Sequence, residues 1–144
     1  QSQNLYNLNI TKGEFVMKEK IVTNLAPEAT GPYSQGIKMG PFVFVSGQDG
    51  VHPNGEIAGE TLEEQTVACL KNIENILKAA GATLENIVYV TAHLADLSEE
   101  NVKAFNSAYA EYFRDVDAKP ARITVGSQLM ETDVEISAIA YIPS

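Results

Sequence analysis

Two residues invite a chemical reading because of where they fall. Arg122 follows Pro120-Ala121 at the head of a strand-like run that reaches Leu129. A guanidinium is costly to bury there unless it meets an anion, best of all a carboxylate held by two parallel hydrogen bonds. The plainer alternative for Arg122 is a structural salt bridge. Glu135 stands in an otherwise apolar final stretch, Val134 to Ile142, where partial burial would raise its pKa toward the range useful for a general acid or base. It too has a plainer reading, as the partner of Arg122. If the last two strands formed a simple hairpin around Glu131-Thr132, Glu135 would face the region of Gln128. Arg122 would then lie six residues further on, roughly 20 Å away at a rise of about 3.3 Å per residue. Either these strands are not hairpin neighbours, or the two groups meet across a boundary between subunits; the sequence leaves both open.

Other reactive side chains offer less. Cys69 sits on the apolar stripe of a helical pattern, the setting of an inert core thiol, whereas a nucleophilic thiolate needs exposure and nearby positive charge. His52 lies beside a turn and His93 on a strand, neither with a visible acid partner. One cysteine and two histidines are a poor supply of metal ligands, so no metal is expected. The chain has no phosphate-binding loop, dinucleotide fingerprint, helical zinc motif or Gly-x-Ser-x-Gly elbow.

The elements that must position these residues follow from hydrophobic period and punctuation. Strands are expected over Lys20–Leu25, Phe42–Val45 running into Ser46-Gly47-Gln48, and Glu56–Gly59 after a turn at Pro53-Asn54-Gly55. Thr61 with Glu64 fits a capping box, and Cys69, Leu70, Ile73, Ile76, Leu77 and Ala80 share one helical stripe that Gly81 ends. Ile87–Leu94 alternates as a strand. Ser98 opens a second helix, with Val102, Phe105, Tyr109, Tyr112 and Phe113 on one face. Two closing strands, Arg122–Leu129 and Val134–Ile142, flank the polar Glu131-Thr132-Asp133. This order implies an α+β fold, a mixed sheet with both helices on one face. In the last strand Val134, Ile136, Ala138, Ala140 and Ile142 point one way and Glu135, Ser137, Ile139 and Tyr141 the other, so neither face is wholly polar. Two helices cannot cover both faces, and the helix-free face is expected to be buried in a homo-oligomer.

At 144 residues the chain has room for one domain. Hydrophobic residues make up 44% and charged residues 20%, the balance of an ordinary globular protein. Nineteen acidic against ten basic residues give a net charge of -9, which disfavours nucleic acid and anionic membrane as partners. A lone cysteine and the lack of a transmembrane or signal-peptide pattern point to the cytoplasm. Residues 1–16, polar and without clear period, read as a leader or an appended segment ahead of a domain at 17–144. Within them Asn9-Ile10-Thr11 matches the short glycosylation triplet, a pattern that often arises by chance.

From Lys20 to Pro143 the chain resembles the RidA/YjgF family, the reactive-intermediate deaminases. The likeness rests on ordered blocks: Ala26-Pro27, Gly31-Pro32-Tyr33-Ser34-Gln35, Ser46-Gly47-Gln48, Glu64-Gln65-Thr66 leading to Asn72-Ile73, Asn106 to Phe113, Pro120-Ala121-Arg122, and Val134-Glu135-Ile136 with Ala138-Ile139-Ala140. The resemblance implies a chorismate-mutase-like fold and a homotrimer around a central β-barrel, with sites in the clefts between subunits. It further implies hydrolysis of enamine and imine intermediates, such as 2-aminoacrylate/2-iminopropanoate and 2-iminobutanoate, to 2-keto acids and ammonia without a cofactor. By the same resemblance Arg122 grips the substrate carboxylate and Glu135 positions the attacking water. Tyr33, Ser46, Gly47, Asn106, Ile123 and Thr124 match positions that line the pocket or offer backbone groups to the ligand.

The chain departs from the family pattern at Asp49-Gly50, where a hydrophobic residue and Pro are common. It also departs at Met130, where Pro is usual, and at Ile123-Thr124, where Ser and then Cys or Thr often follow the arginine. Two other roles compete with deamination: a non-catalytic module that binds a small carboxylate or acts as a stress-linked holdase, and a ribonuclease or translation inhibitor. The acidic charge balance weighs against the last.

Overall fold

A computed structural model describes residues 8, 9 and 15–144. Thr61 starts helix α1 (Leu62–Ala79) through a complete capping box: its hydroxyl accepts from the Glu64 N–H, and the Glu64 carboxylate accepts from the Thr61 N–H. The helix ends in a left-handed residue, Gly81 (φ 85), whose N–H donates to the Lys78 carbonyl while that of Ala82 donates to Leu77. That paired closure is the Schellman arrangement, and glycine takes its backbone angle without a Cβ penalty. Replacing Thr61 with Ala should cost about 1 kcal/mol and lower the melting temperature by roughly 2–4 °C. An unchanged thermal midpoint would show that the cap contributes nothing.

Helix α2 (Glu99–Tyr112) is capped by Ser98, whose side chain accepts from the Asn101 N–H. The predicted α1 stripe is buried throughout, from Cys69 to Ala80. From α2, Phe105, Tyr109 and Phe113 join the same core. α1 packs on the sheet and against α2, so one face of the sheet carries the helices.

Two short strands, β1 (Leu8–Asn9) and β2 (Phe15–Val16), pair only with each other. The remaining residues of the 1–16 segment, including most of the Asn9–Thr11 triplet, lie outside the described residues. The main sheet contains β3 (Lys18–Ile21), β4 (Gly36–Met39), β5 (Phe42–Asp49), β6 (Ile87–Leu94), β7 (Ala121–Gly126) and β8 (Val134–Tyr141) in the order β3-β4-β5-β8-β6-β7. Only β6 and β7 run parallel. The last two strands are therefore not a hairpin, because β6 lies between them.

Three sequence expectations need correction. The first strand ends at Ile21 and β7 ends at Gly126, both earlier than expected. Glu56–Gly59 forms no strand: β structure there is reduced to one bridge between Val51 and Ile57, because His52 and Glu56 close a tight turn through Gly55 (φ 92). In place of that strand, β4 pairs with β5.

The helix-free face bears Phe42, Phe44, Tyr89 and Tyr141, each about two-fifths exposed. The Phe42 ring meets Tyr141 edge-on at 5.2 Å and lies 6.1 Å from Phe44. A soluble chain rarely leaves such an aromatic cluster uncovered.

Candidate functional site

Arg122 lies on β7 opposite Val90 of β6, and so on the helix side of the sheet. Its guanidinium sits over the rings of Tyr109 (4.7 Å to the centroid) and Phe105 (5.1 Å) from α2, and its Nη2 donates to Asn106 Oδ1 at 2.7 Å. Two cation–π contacts and one amide hold the group in place and leave other N–H donors uncommitted. No carboxylate among the described residues lies within ion-pair distance of it. The internal salt bridge considered for Arg122 is thus absent. Burial pushes the neighbouring Tyr109 phenol up to about 12, the nearby Arg122 charge pulling the other way. The buried hydroxyls of Tyr109 and Thr124 have no hydrogen-bond partner among the described residues. Thr124 shares the face of β7 that carries Arg122, and Asn106 is hydrogen-bonded to Arg122, whereas the exposed Ile123 between Arg122 and Thr124 points to the other face.

Glu135 belongs to a second cluster, on the helix-free face. Its register neighbours are Asp49 on β5 and His93 on β6, so three ionisable side chains stand in a row across three strands. His93 Nδ1 is hydrogen-bonded to Ser127 Oγ at 2.7 Å. The row depends on a β-bulge. Val45 faces Ala138 and Gln48 faces Ile136, so β5 holds one residue more than β8 across Ser46-Gly47. The extra residue reverses the in–out alternation, burying Gln48 and turning Asp49 to the face of Glu135. Glycine leaves room for the Glu135 carboxyl at the bulge: a Cβ on Gly47 would overlap Glu135 Oε2. Ser46 fastens β5 to the loop before β4, its hydroxyl donating to the Ser34 carbonyl and its N–H to that of Gln35. Buried Gln35 shapes that loop, accepting from the Thr23 N–H and donating to the Pro27 carbonyl. Between loop and bulge lies a cleft of about 260 Å³ bordered by Tyr33, Gly47, Asp49 and Glu131.

Burial, reinforced by the Glu135 and Glu131 charges, raises the Asp49 carboxyl to about 6. Cys69 beneath the sheet is fully buried, which pushes its thiol well above the usual range, as suits a core residue.

Within one chain the two clusters stay apart. Arg122 and Glu135 pair with β6 residues three positions apart, on strands either side of it, roughly 14 Å between Cα atoms at ordinary strand spacings. Their side chains also point to opposite faces. Tyr33, Ser46 and Gly47 lie near Glu135, and Asn106 and Thr124 on the Arg122 side; Ile123 neighbours Arg122 along β7 but faces the other way. Sequence reasoning overlooked Asp49 as a neighbour of Glu135; its only signal was the departure after Gln48, and the bulge that aims it has no signature beyond Gly47.

The fold and these blocks define a family. Residues 23–142 match the family model described as Endoribonuclease L-PSP, and the chain belongs to this family, also known as RidA/YjgF. A RutC family protein of Pyrococcus abyssi is 45% identical over 127 residues, covering 86% of this chain and 97% of the relative. Reactive Intermediate Deaminase A, chloroplastic, of Arabidopsis thaliana is 43% identical over 130 residues, covering 88% of this chain and 67% of the relative. Among solved structures, E. coli TdcF with bound serine superposes with a TM-score of 0.80 at 34% identity, over 87% of this chain and 99% of that one. The mixed sheet with two helices is the architecture of these proteins. Among the described residues no helix is long and apolar enough to cross a membrane.

Proposed function

We propose that this protein hydrolyses small 2-imino acids, 2-aminoacrylate in its 2-iminopropanoate form and 2-iminobutanoate, to 2-keto acids and ammonia, in the cytoplasm. The observation that carries the reading is Arg122: a fixed guanidinium with spare donors and no anion beside it among the described residues, suited to the carboxylate of a small substrate. The deaminase name of the Arabidopsis relative and the serine bound to TdcF agree with a small carboxylate-bearing ligand.

We further propose that the site forms between copies in a homotrimer whose sheets enclose a central barrel. Supporting this are the exposed aromatic face, the unpartnered hydroxyls beside Arg122, and two clusters that can meet only between chains. In the assembled site Arg122 would hold the substrate carboxylate, assisted by Asn106. Tyr33, Ser46, Gly47, Ile123 and Thr124 would shape the pocket.

An imine carbon is already electrophilic, so holding it beside one aimed water supplies most of what is needed. As the new C–O bond forms, the water proton passes through Glu135 to the nitrogen. The remaining hydroxyl proton follows the same route as the C–N bond breaks and ammonia leaves. Positioned proton transfer of this kind typically contributes about 10²- to 10⁴-fold.

The test couples the protein to a serine or threonine dehydratase that releases 2-aminoacrylate and follows 2-keto acid formation. Faster release is expected. No acceleration, together with calorimetric binding of 2-ketobutyrate, would instead identify a non-catalytic carboxylate-binding module. The family's ribonuclease name finds no support in a chain of net charge -9, since RNA affinity draws on phosphate neutralisation.

A further inference from the structure

Asp49 stands where the family pattern commonly has a hydrophobic residue, and the bulge at Ser46-Gly47 turns it onto Glu135. We propose that Asp49 and Glu135 share one proton, and that protonated Asp49 holds the Glu135 carboxylate over Gly47, making Asp49 a positioning residue for hydrolysis. The proposal rests on Glu135 being the group that aims the water.

Its basis is geometric. The two residues are direct cross-strand partners, and the bulge sets both side chains on the same face of the sheet. The Glu135 carboxyl lies against the bare Cα of Gly47, and Gly47 and Asp49 both border the cleft. The surroundings favour a retained proton. Glu131, from the loop before β8, adds negative charge, and Glu28 lines the same cleft, which no lysine or arginine among the described residues borders. On β6, His93 stands across Glu135 from Asp49, and on α1 the buried Cys69 thiol feels the charge of both carboxyls. Two close carboxyl groups in such a setting do not ionise together readily. With one proton between them, the Asp49 O–H donates to a Glu135 oxygen, and Glu135 keeps an acceptor for the water proton. The Asp49 proton is not consumed in the reaction. Once it leaves, two negative charges face an anionic substrate.

Carbon-13 NMR of the side-chain carboxyls reads the pair without reference to activity. Asp49 is expected to titrate at about 6, and to return toward the ordinary carboxylate range in Glu135→Gln. Ordinary titration of Asp49 in the unaltered protein would overturn the proposal. In the coupled assay, kcat/KM should fall roughly fivefold as pH rises through the second ionisation of the pair. Asp49→Asn, whose amide keeps a donor but cannot titrate, should give a level profile over the same range; parallel profiles for the two proteins would overturn the positioning role. Hydrolysis without coupled titration defeats the shared proton alone. Coupled titration without any hydrolysis defeats the functional reading, and the positioning role with it.

Discussion

Replacing Arg122 with Ala is expected to lower kcat/KM for 2-aminoacrylate hydrolysis by about 10²- to 10³-fold, the scale of losing a charge-assisted, two-point grip. The fold should survive, because Arg122 sits on an edge strand and anchors no ion pair among the described residues. Affinity for 2-ketobutyrate should fall alongside turnover. Arg122→Lys should recover only part of the loss, since an ammonium keeps the charge but not the planar fork, nor the same stacking on Phe105 and Tyr109. Calorimetry with 2-ketobutyrate and the coupled assay check both points; unchanged binding in Arg122→Ala would mean that the carboxylate is held elsewhere.

Gly47→Ala should separate stability from catalysis. The added methyl would overlap Glu135 Oε2, the end of a flexible side chain, so Glu135 can swing away at little cost to the fold. The same movement takes the carboxylate from the place where it must meet the water, and a displacement of about 1 Å at a reacting group is enough to cost on the order of 10²-fold in rate. We therefore expect a nearly unchanged melting curve, near-normal 2-ketobutyrate affinity and a kcat lowered by about that factor. Full activity would show that Glu135 does not need its position over the glycine.

How far the sequence reached depends on how local each signal was. The Thr61-Glu64 box, the Ser98 cap and the α1 stripe are set by contacts within a few residues, and the structure keeps them where the pattern placed them. The alternation of β8 likewise sorted its side chains into two sets, and the structure buries the Val134 set under the helices. β4 escaped notice because Gly36–Met39 is short and half-buried, and its glycine reads as the end of a loop. Yet at Gly36 a Cβ would come within 2.9 Å of Ile76 Cγ2, so the bare Cα is what lets α1 lie close. The relation of Arg122 to Glu135 depended on which strand separates β7 from β8, a long-range choice that no local pattern encodes. Asp49 was obscured for a related reason: one extra residue in β5 decides its face, and simple alternation would have placed it with the core.

The two margins of the sheet are unequal. β3 presents Lys18, Glu19 and Lys20 along its length, the charged border that discourages stray strand pairing. β7 has no hydrogen-bonded neighbour on its outer side among the described residues, and after Arg122 it continues through uncharged Ile123, Thr124 and Val125. For a chain standing alone, that rim is an open template on which another strand can add, so dilution or partial unfolding should make β7 the nucleus from which insoluble aggregates grow.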